Sequence, residues 1–503
     1  MRRRIARADG ARLAPAFAAI RAEAGVVEAF PDAALAEAEA AAARVASDET
    51  GGRGGARTDL TAIPFVTLDP AGSMDLDQAF HLDALADGGF RVRYAIADVG
   101  AFLAPGGALE TAAAARITTI YCPDERVPLY PLGLSEGAAS LLPDGVRPAV
   151  AWTIDIASTG ETTAVHVERA WVRSRAKLDY AGVQHALHRG TAEGSVALLP
   201  VVGGILEAAE QARGGMSLRV PEQRVEEDED GRLTLAFRTT LPVEDWNAQL
   251  SLLTGRAAAR LMLDARVGLL RTMPPAADAD VQRLRRIAHG LQIDWPADQP
   301  YGALVATMRP TGPRHAAFLN EASALFRGAG YTAFQGTLPP LTTHAAIAAP
   351  YAHCTAPLRR LADRHVSEAC LAIAAGRPVL EVTAAALPLL PAAMAEGVRR
   401  AGHVERGCID LVEIAVLAPH VGARFAAVVT GVDDDGEGGE VVLPDLAVVA
   451  RCSGRLRLGH RTQVVLETAD PVERRLRLRL AGDGDGGPGG GGRAGHAGTE
   501  VVA

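Results

Sequence analysis

The chain has 503 residues, of which 48% are hydrophobic and 22% charged, with a formal net charge of −9 at pH 7. That length allows two or three domains around a large core, and a pI near 5.8 excludes a surface coated in positive charge, so any nucleic-acid site must be local. The five cysteines, Cys122, Cys354, Cys370, Cys408 and Cys452, show no zinc spacing, no run of about 18 apolar residues occurs, and Met1-Arg2-Arg3-Arg4 leads into no apolar segment. Reduced structural thiols, no membrane partner and a cytoplasmic location are therefore expected. Lys177 is the sole lysine, and with so much Ala and Gly the excess of Arg reads as codon bias.

In chain order, helical patterning runs from Leu13 to Ala24 and from Asp32 to Val45, and the Gly-rich polar stretch Ser47 to Thr58 reads as a linker. No sizeable barrel fits before Asp59. Phe65 to Asp69 reads as a strand that delivers its last carboxylate at a strand end. Pro70 and Gly72 break it. In an extended Asp75-Leu76-Asp77 the two acids share one face and Leu76 takes the other, so a short turn can converge both with Asp69. Three carboxylates in one pocket need a hard divalent cation, for which Mg²⁺ is the usual occupant. On spacing alone a solvated turn is the commoner outcome, and the spacing does not suit a calcium loop.

Further on, Phe90 to Asp98 reads as a strand, Ala108 to Arg116 as a short helix, Ser140 to Pro148 as a loop, and Ala149 to Ile156 with Ala164 to Val172 as a hairpin. Leu198 to Gln335 is expected to be mainly helical, with a long helix over Asn247 to Arg266 capped by Asp245 or Asn247, and with Glu226 to Gly231 as a solvated turn. Pro357 suits a first helical turn behind a capping Thr355, which would make an anion site that Arg359 could reinforce with a bidentate fork. The plain alternative is an Arg359–Asp363 helix pair worth about 0.3–0.5 kcal/mol. Residues 382 to 403 are helical. Arg424 to Val432, Glu440 to Leu446, Ala447 to Cys452 and Thr462 to Glu467 read as strands of a five-stranded oligonucleotide-binding barrel, followed by a Gly-rich disordered tail.

Several motifs stand in a telling order: Asp59-Leu60-Thr61, the acidic loop, Ala95-Ile96-Ala97-Asp98, Ser140-Leu141-Leu142 through Arg147-Pro148, Lys177-Leu178-Asp179-Tyr180, and Thr355-Ala356-Pro357-Leu358-Arg359-Arg360. In order and spacing they resemble the ribonuclease II (RNB) family of exoribonucleases, in a short form lacking the N-terminal cold-shock barrels. The resemblance implies an α+β fold: a helical segment and linker over 1–58, an RNB-type catalytic domain of mixed sheet and surrounding helices over 59–380, a connecting helix over 381–405, an OB-type barrel over 406–481 and a disordered tail over 482–503. It further implies metal-dependent 3′-to-5′ hydrolysis of single-stranded RNA to nucleoside 5′-monophosphates, with no organic cofactor.

By the same resemblance Asp69, Asp75 and Asp77 hold Mg²⁺ or Mn²⁺, as two ions, with Gln78 as a further metal contact. Asp77 and Arg359 are the catalytic pair. Tyr180 stacks on a base, and Arg147, Thr355 and Arg360 contact the RNA. The sequence departs from the family pattern at Gln78, where a fourth acid is common, at Ala356 and Leu358, and at Gln249 and Gly255, where an acid and an asparagine are usual. A second clamping aromatic near Arg224-Val225 is not evident. Two other readings remain: an RNA-binding protein of this fold that has lost turnover, and a nucleotide-sugar transferase using Asp75-x-Asp77. The second leaves the segment from Thr355 to Arg359 unexplained.

Overall fold

Alternate large apolar side chains along Phe65–Asp69, Gln78–Ala84, Phe90–Ala97 and Val146–Ile156 point into one cluster, where Phe65, Phe80, Tyr94 and Trp152 are fully buried. In the computed structural model, which describes residues 7–50, 57–216, 222–308 and 312–482, these strands form a mixed sheet. Its order is Thr58–Asp59, Thr162–Asp179, Phe65–Asp69, Gln78–Ala84, Phe90–Ala97, Val146–Ile156. The long strand Thr162–Asp179 pairs antiparallel with Val146–Ile156 as far as Arg173, then parallel with Phe65–Asp69 from Ser174, so the sheet curls back on itself. That switch sets Asp69 opposite Asp179, and the next residue, Tyr180, starts a helix beside it.

Helices cover the sheet. Pro242–Ala265 starts five residues before the expected Asn247, because Glu244 rather than Asp245 or Asn247 caps it, accepting the Leu241 N–H at 2.9 Å. Gly255 on this helix faces a close approach: a Cβ there would run into the Tyr351 ring and the Ala352 carbonyl, while the Ala352 N–H donates to the Gly255 carbonyl at 3.1 Å. A larger residue at this point does not fit. Gly194–Ala212 is, contrary to expectation, long and apolar enough to cross a membrane by length and composition alone. Here Leu199, Val202 and Leu206 turn into the main core and the helix lies against Pro242–Ala265 and the Gln78–Ala84 strand.

The middle of the chain is less helical than expected. Glu222–Glu227 and Arg232–Arg238 form a hairpin whose tip is the acidic turn, and Val267–Thr272 pairs with Gly330–Gln335. Ala8–Asp9 adds an edge to that hairpin, and Gly10–Glu23 packs on the 28-residue helix Leu390–Leu417. Asp32–Thr50 runs beyond Val45 into the expected linker. The C-terminal strands close a barrel in the order Arg424–Val432, Gly438–Leu443, Val448–Ser453, Arg475–Leu480, Arg461–Asp470. Its core is continuous with Phe17, Ile20 and Leu411 of the two helices. The tail beyond Gly482 lies outside the described residues.

Gly255→Ala should lower stability by about 1–3 kcal/mol through overpacking. Gly204→Ala, in a helix with nothing within 4 Å of the added methyl, should raise it by up to about 1 kcal/mol. Denaturant titration of both variants checks the pair.

Candidate active site

The acidic loop is built on Leu76. Its side chain is fully buried, its N–H donates to Ser140 Oγ at 3.0 Å, and its carbonyl accepts the Leu141 N–H at 3.0 Å. Ser140 Oγ also donates to the Met74 carbonyl at 2.6 Å. With Leu76 pinned inward on the backbone, Asp75 and Asp77 have their positions set by that anchor. Asp77 Oδ1 accepts the Leu358 N–H at 2.7 Å, and Arg359 Nε stands 3.5 Å from Oδ2. Asp75 turns to the Ile120–Val127 hairpin, where Arg126 lies 2.7 Å from Oδ1 and the Tyr121 hydroxyl donates to Oδ2 at 3.4 Å. Arg126 also pairs with Glu136.

The segment 355–359 forms a turn; the helix Leu361–Ala374 begins only after it. Thr355 therefore caps nothing. The free amides of the turn go to acids instead: Ala356 N–H donates to Asp363 Oδ2 at 2.8 Å and Leu358 N–H to Asp77. The Arg359 carbonyl is held by Thr118 Oγ1 at 2.8 Å and Thr119 N–H at 3.1 Å, and the Ile117 carbonyl accepts the Leu361 N–H at 2.9 Å. Ile117 has φ of 70°, a strained state for a β-branched residue, at the point where this support begins. The Arg359 guanidinium is left about half exposed while its backbone is fixed.

Burial pushes the Asp77 carboxyl up to about 8 against the pull of Arg359 and the Leu358 N–H, and burial pushes Asp69 up to about 6 against Arg359 and Lys177. Burial thus outweighs the nearby cations at both acids. Among the described residues no group of three or more His, Cys, Asp or Glu is close enough to hold a metal ion, and Asp75 is engaged by Arg126. The donors still fit a hard divalent cation: Asp69 and Asp77 are oxygen ligands whose charge is disfavoured without one.

Tyr180 stands at this pocket. Burial, and next the Asp69 charge, push its hydroxyl up to about 12, and it hydrogen-bonds to Asn247, whose Nδ2 donates to the Leu68 carbonyl at 3.3 Å. Three residues expected at the RNA are engaged by protein partners. Arg147 folds onto its own loop, donating to the carbonyls of Ser140 and Val146 at 3.1 Å each, and so braces the serine that holds the acidic loop. Thr355 is buried, its hydroxyl accepting from Ser251 at 3.2 Å. Arg360 is clamped on Asp363 at 2.8 Å. Buried donors must find partners, and these found protein ones. Gln78 likewise spends its amide within the protein, on Thr355 and Tyr94.

Sequence reasoning paired Asp363 with Arg359 rather than Arg360, named Ser140 only within a motif, and missed Arg126 and Ser251. The signal for the Asp363 partner was its i,i+3 spacing from Arg360. Asp363→Ala should destabilise the protein by about 3–5 kcal/mol, because Arg360 would be left buried without its counter-charge; equilibrium unfolding reads it.

Comparison with known proteins follows the geometry. Residues 57–373 match the RNB domain, and residues 423–481 match the RNase II-type exonuclease C-terminal S1 domain. Exoribonuclease 2 of Proteus mirabilis (strain HI4320) is 39% identical over 128 residues, 25% of this chain and 20% of that relative, so the match spans about a fifth of the relative's length. Among solved structures, Mycoplasma genitalium RNase R in complex with ribose methylated single-stranded RNA has a TM-score of 0.82 at 20% identity, covering 93% of this chain and 78% of that one. Yeast Ssd1, a pseudonuclease, has a TM-score of 0.63 at 15% identity, covering 82% and 53%. Both structural likenesses concern the fold.

Proposed function

Because the chain belongs to the RNB-domain family, we propose that it is a metal-dependent 3′-to-5′ exoribonuclease that hydrolyses single-stranded RNA to nucleoside 5′-monophosphates. The observation that carries this is the meeting of Asp77 with Leu358 and Arg359 across 281 residues of chain, in the pocket that also holds Asp69. Phosphodiester hydrolysis places growing negative charge on the phosphoryl oxygens, and a half-exposed guanidinium on a fixed backbone is suited to receive it. Asp69 and Asp77, with Asp75 released from Arg126, would hold Mg²⁺ or Mn²⁺. Such an ion supplies Lewis-acid polarisation and activates the attacking water.

The chain's own residues do the positioning. Asp77 fixes the Leu358 amide, and with it the direction in which Arg359 enters the pocket. Tyr180, beside Asp69, offers an aromatic face to a terminal base, where stacking is worth about 1–3 kcal/mol. Direction, single-strand preference and product are what the family resemblance implies. A second reading, an RNA-binding protein without turnover, is favoured by Gln78 standing where a fourth acid is common and by the fold likeness to a pseudonuclease.

Electrophoresis of a 5′-labelled single-stranded RNA with Mg²⁺, Mn²⁺ or EDTA separates them. Stepwise shortening from the 3′ end that EDTA stops is expected. Asp77→Asn should abolish it while filter-binding affinity for RNA stays within about threefold, and Arg359→Ala should lower kcat by about 10²–10³. RNA binding with no shortening in either metal would establish the second reading.

A further inference from the structure

Gln78 follows Asp77 directly and opens its strand. Its Nε2 donates to the Thr355 carbonyl at 2.6 Å, and its Oε1 accepts the Tyr94 hydroxyl at 2.6 Å, with Ser251 Oγ 3.4 Å away. Ser251 gives its one hydroxyl hydrogen to Thr355 Oγ1 at 3.2 Å and lies 3.1 Å from the Tyr94 hydroxyl. The orientation of the amide follows from its partners, since the Thr355 carbonyl can only accept. Tyr94 is 1% and Thr355 3% exposed, so this four-residue ring sits beneath the pocket.

The ring and the Asp77–Leu358 bond are two adjacent rungs between the acidic loop and the 355–359 turn. An amide is the side chain that fits the first rung, because it donates at one end and accepts at the other. A carboxylate there would set an oxygen against the Thr355 carbonyl. With its nitrogen on the Thr355 carbonyl and its oxygen on the Tyr94 hydroxyl, the Gln78 amide is engaged within the protein at both ends.

We propose that Gln78 is a positioning residue for the hydrolysis: it fixes the separation of Asp77 and Arg359 by tying their two segments together, and it takes no part in holding the cation. This rests on the exoribonuclease reading above.

The test uses the full chain and its Gln78→Ala, Gln78→Glu and Tyr94→Phe variants, each measured for kcat and KM on a short oligoadenylate and for Mn²⁺ affinity by electron paramagnetic resonance. Gln78→Ala should lose about tenfold to a hundredfold in kcat, with KM and Mn²⁺ affinity unchanged within about twofold. Gln78→Glu should lose at least as much, and Tyr94→Phe less but in the same direction. Should Gln78→Ala fail to fold, Tyr94→Phe with unchanged kcat overturns the proposal by itself. Weaker Mn²⁺ binding in Gln78→Ala together with tighter binding in Gln78→Glu would make Gln78 a ligand and overturn it too. A wild-type chain without turnover overturns the exoribonuclease reading and the proposal with it, whereas an active wild type matched by an equally active Gln78→Ala overturns only the brace.

Discussion

The hydrogen bond from the Leu358 amide to Asp77 is the contact on which the pocket depends. It joins a loop between two sheet strands to a turn that precedes a helix far along the chain, and it is buried, where the low dielectric strengthens a hydrogen bond. It explains why Arg359 faces the acids at all. The turn's other free amide goes to Asp363, so its backbone donors are committed before any substrate arrives. The arginine side chain is the part left free to reach outward.

A second buried acid shows how different a purely structural carboxylate looks. Asp98 is as deeply buried as Asp77, yet Arg169 and Arg57 hold its carboxyl below the usual range against its burial. Arg169 continues to Glu368 at 2.5 Å, so this chain of charges fastens the sheet to the helix Leu361–Ala374 that follows the arginine turn. Asp77, with a single guanidinium at 3.5 Å, is pushed the other way. One acid is held ionised by its two guanidinium partners; the other is pushed toward its neutral form by burial, with one guanidinium at 3.5 Å opposing.

Much of this was legible in the sequence where one local rule decided the outcome. Period-two geometry placed Leu76 inward, and the strand ending at Asp69 was evident from Phe65 and Leu68. Where two rules competed, the reading failed. Pro357 and Thr355 look like a helix start, but Asp77 and Asp363, remote or one turn ahead, claim the amides and keep the segment a turn. Arg147, Thr355 and Arg360 look like phosphate contacts, yet their partners are carbonyls, a hydroxyl and a carboxylate that no spacing reveals. The hairpin over Glu222–Arg238 and the strand Arg475–Leu480 were hidden by their charge, since exposed Arg and Glu alternate there with the apolar residues that pair inward. Gly255 looked like a lost functional position and is a close-packing one.

The most direct measurement is anomalous diffraction from crystals of the full chain soaked in Mn²⁺. The account predicts a peak within coordination distance of both Asp69 and Asp77, on the side facing Arg359, with Asp75 drawn away from Arg126. An absent peak at saturating Mn²⁺, with Asp75 still on Arg126, or a peak bound elsewhere in the molecule, would contradict it.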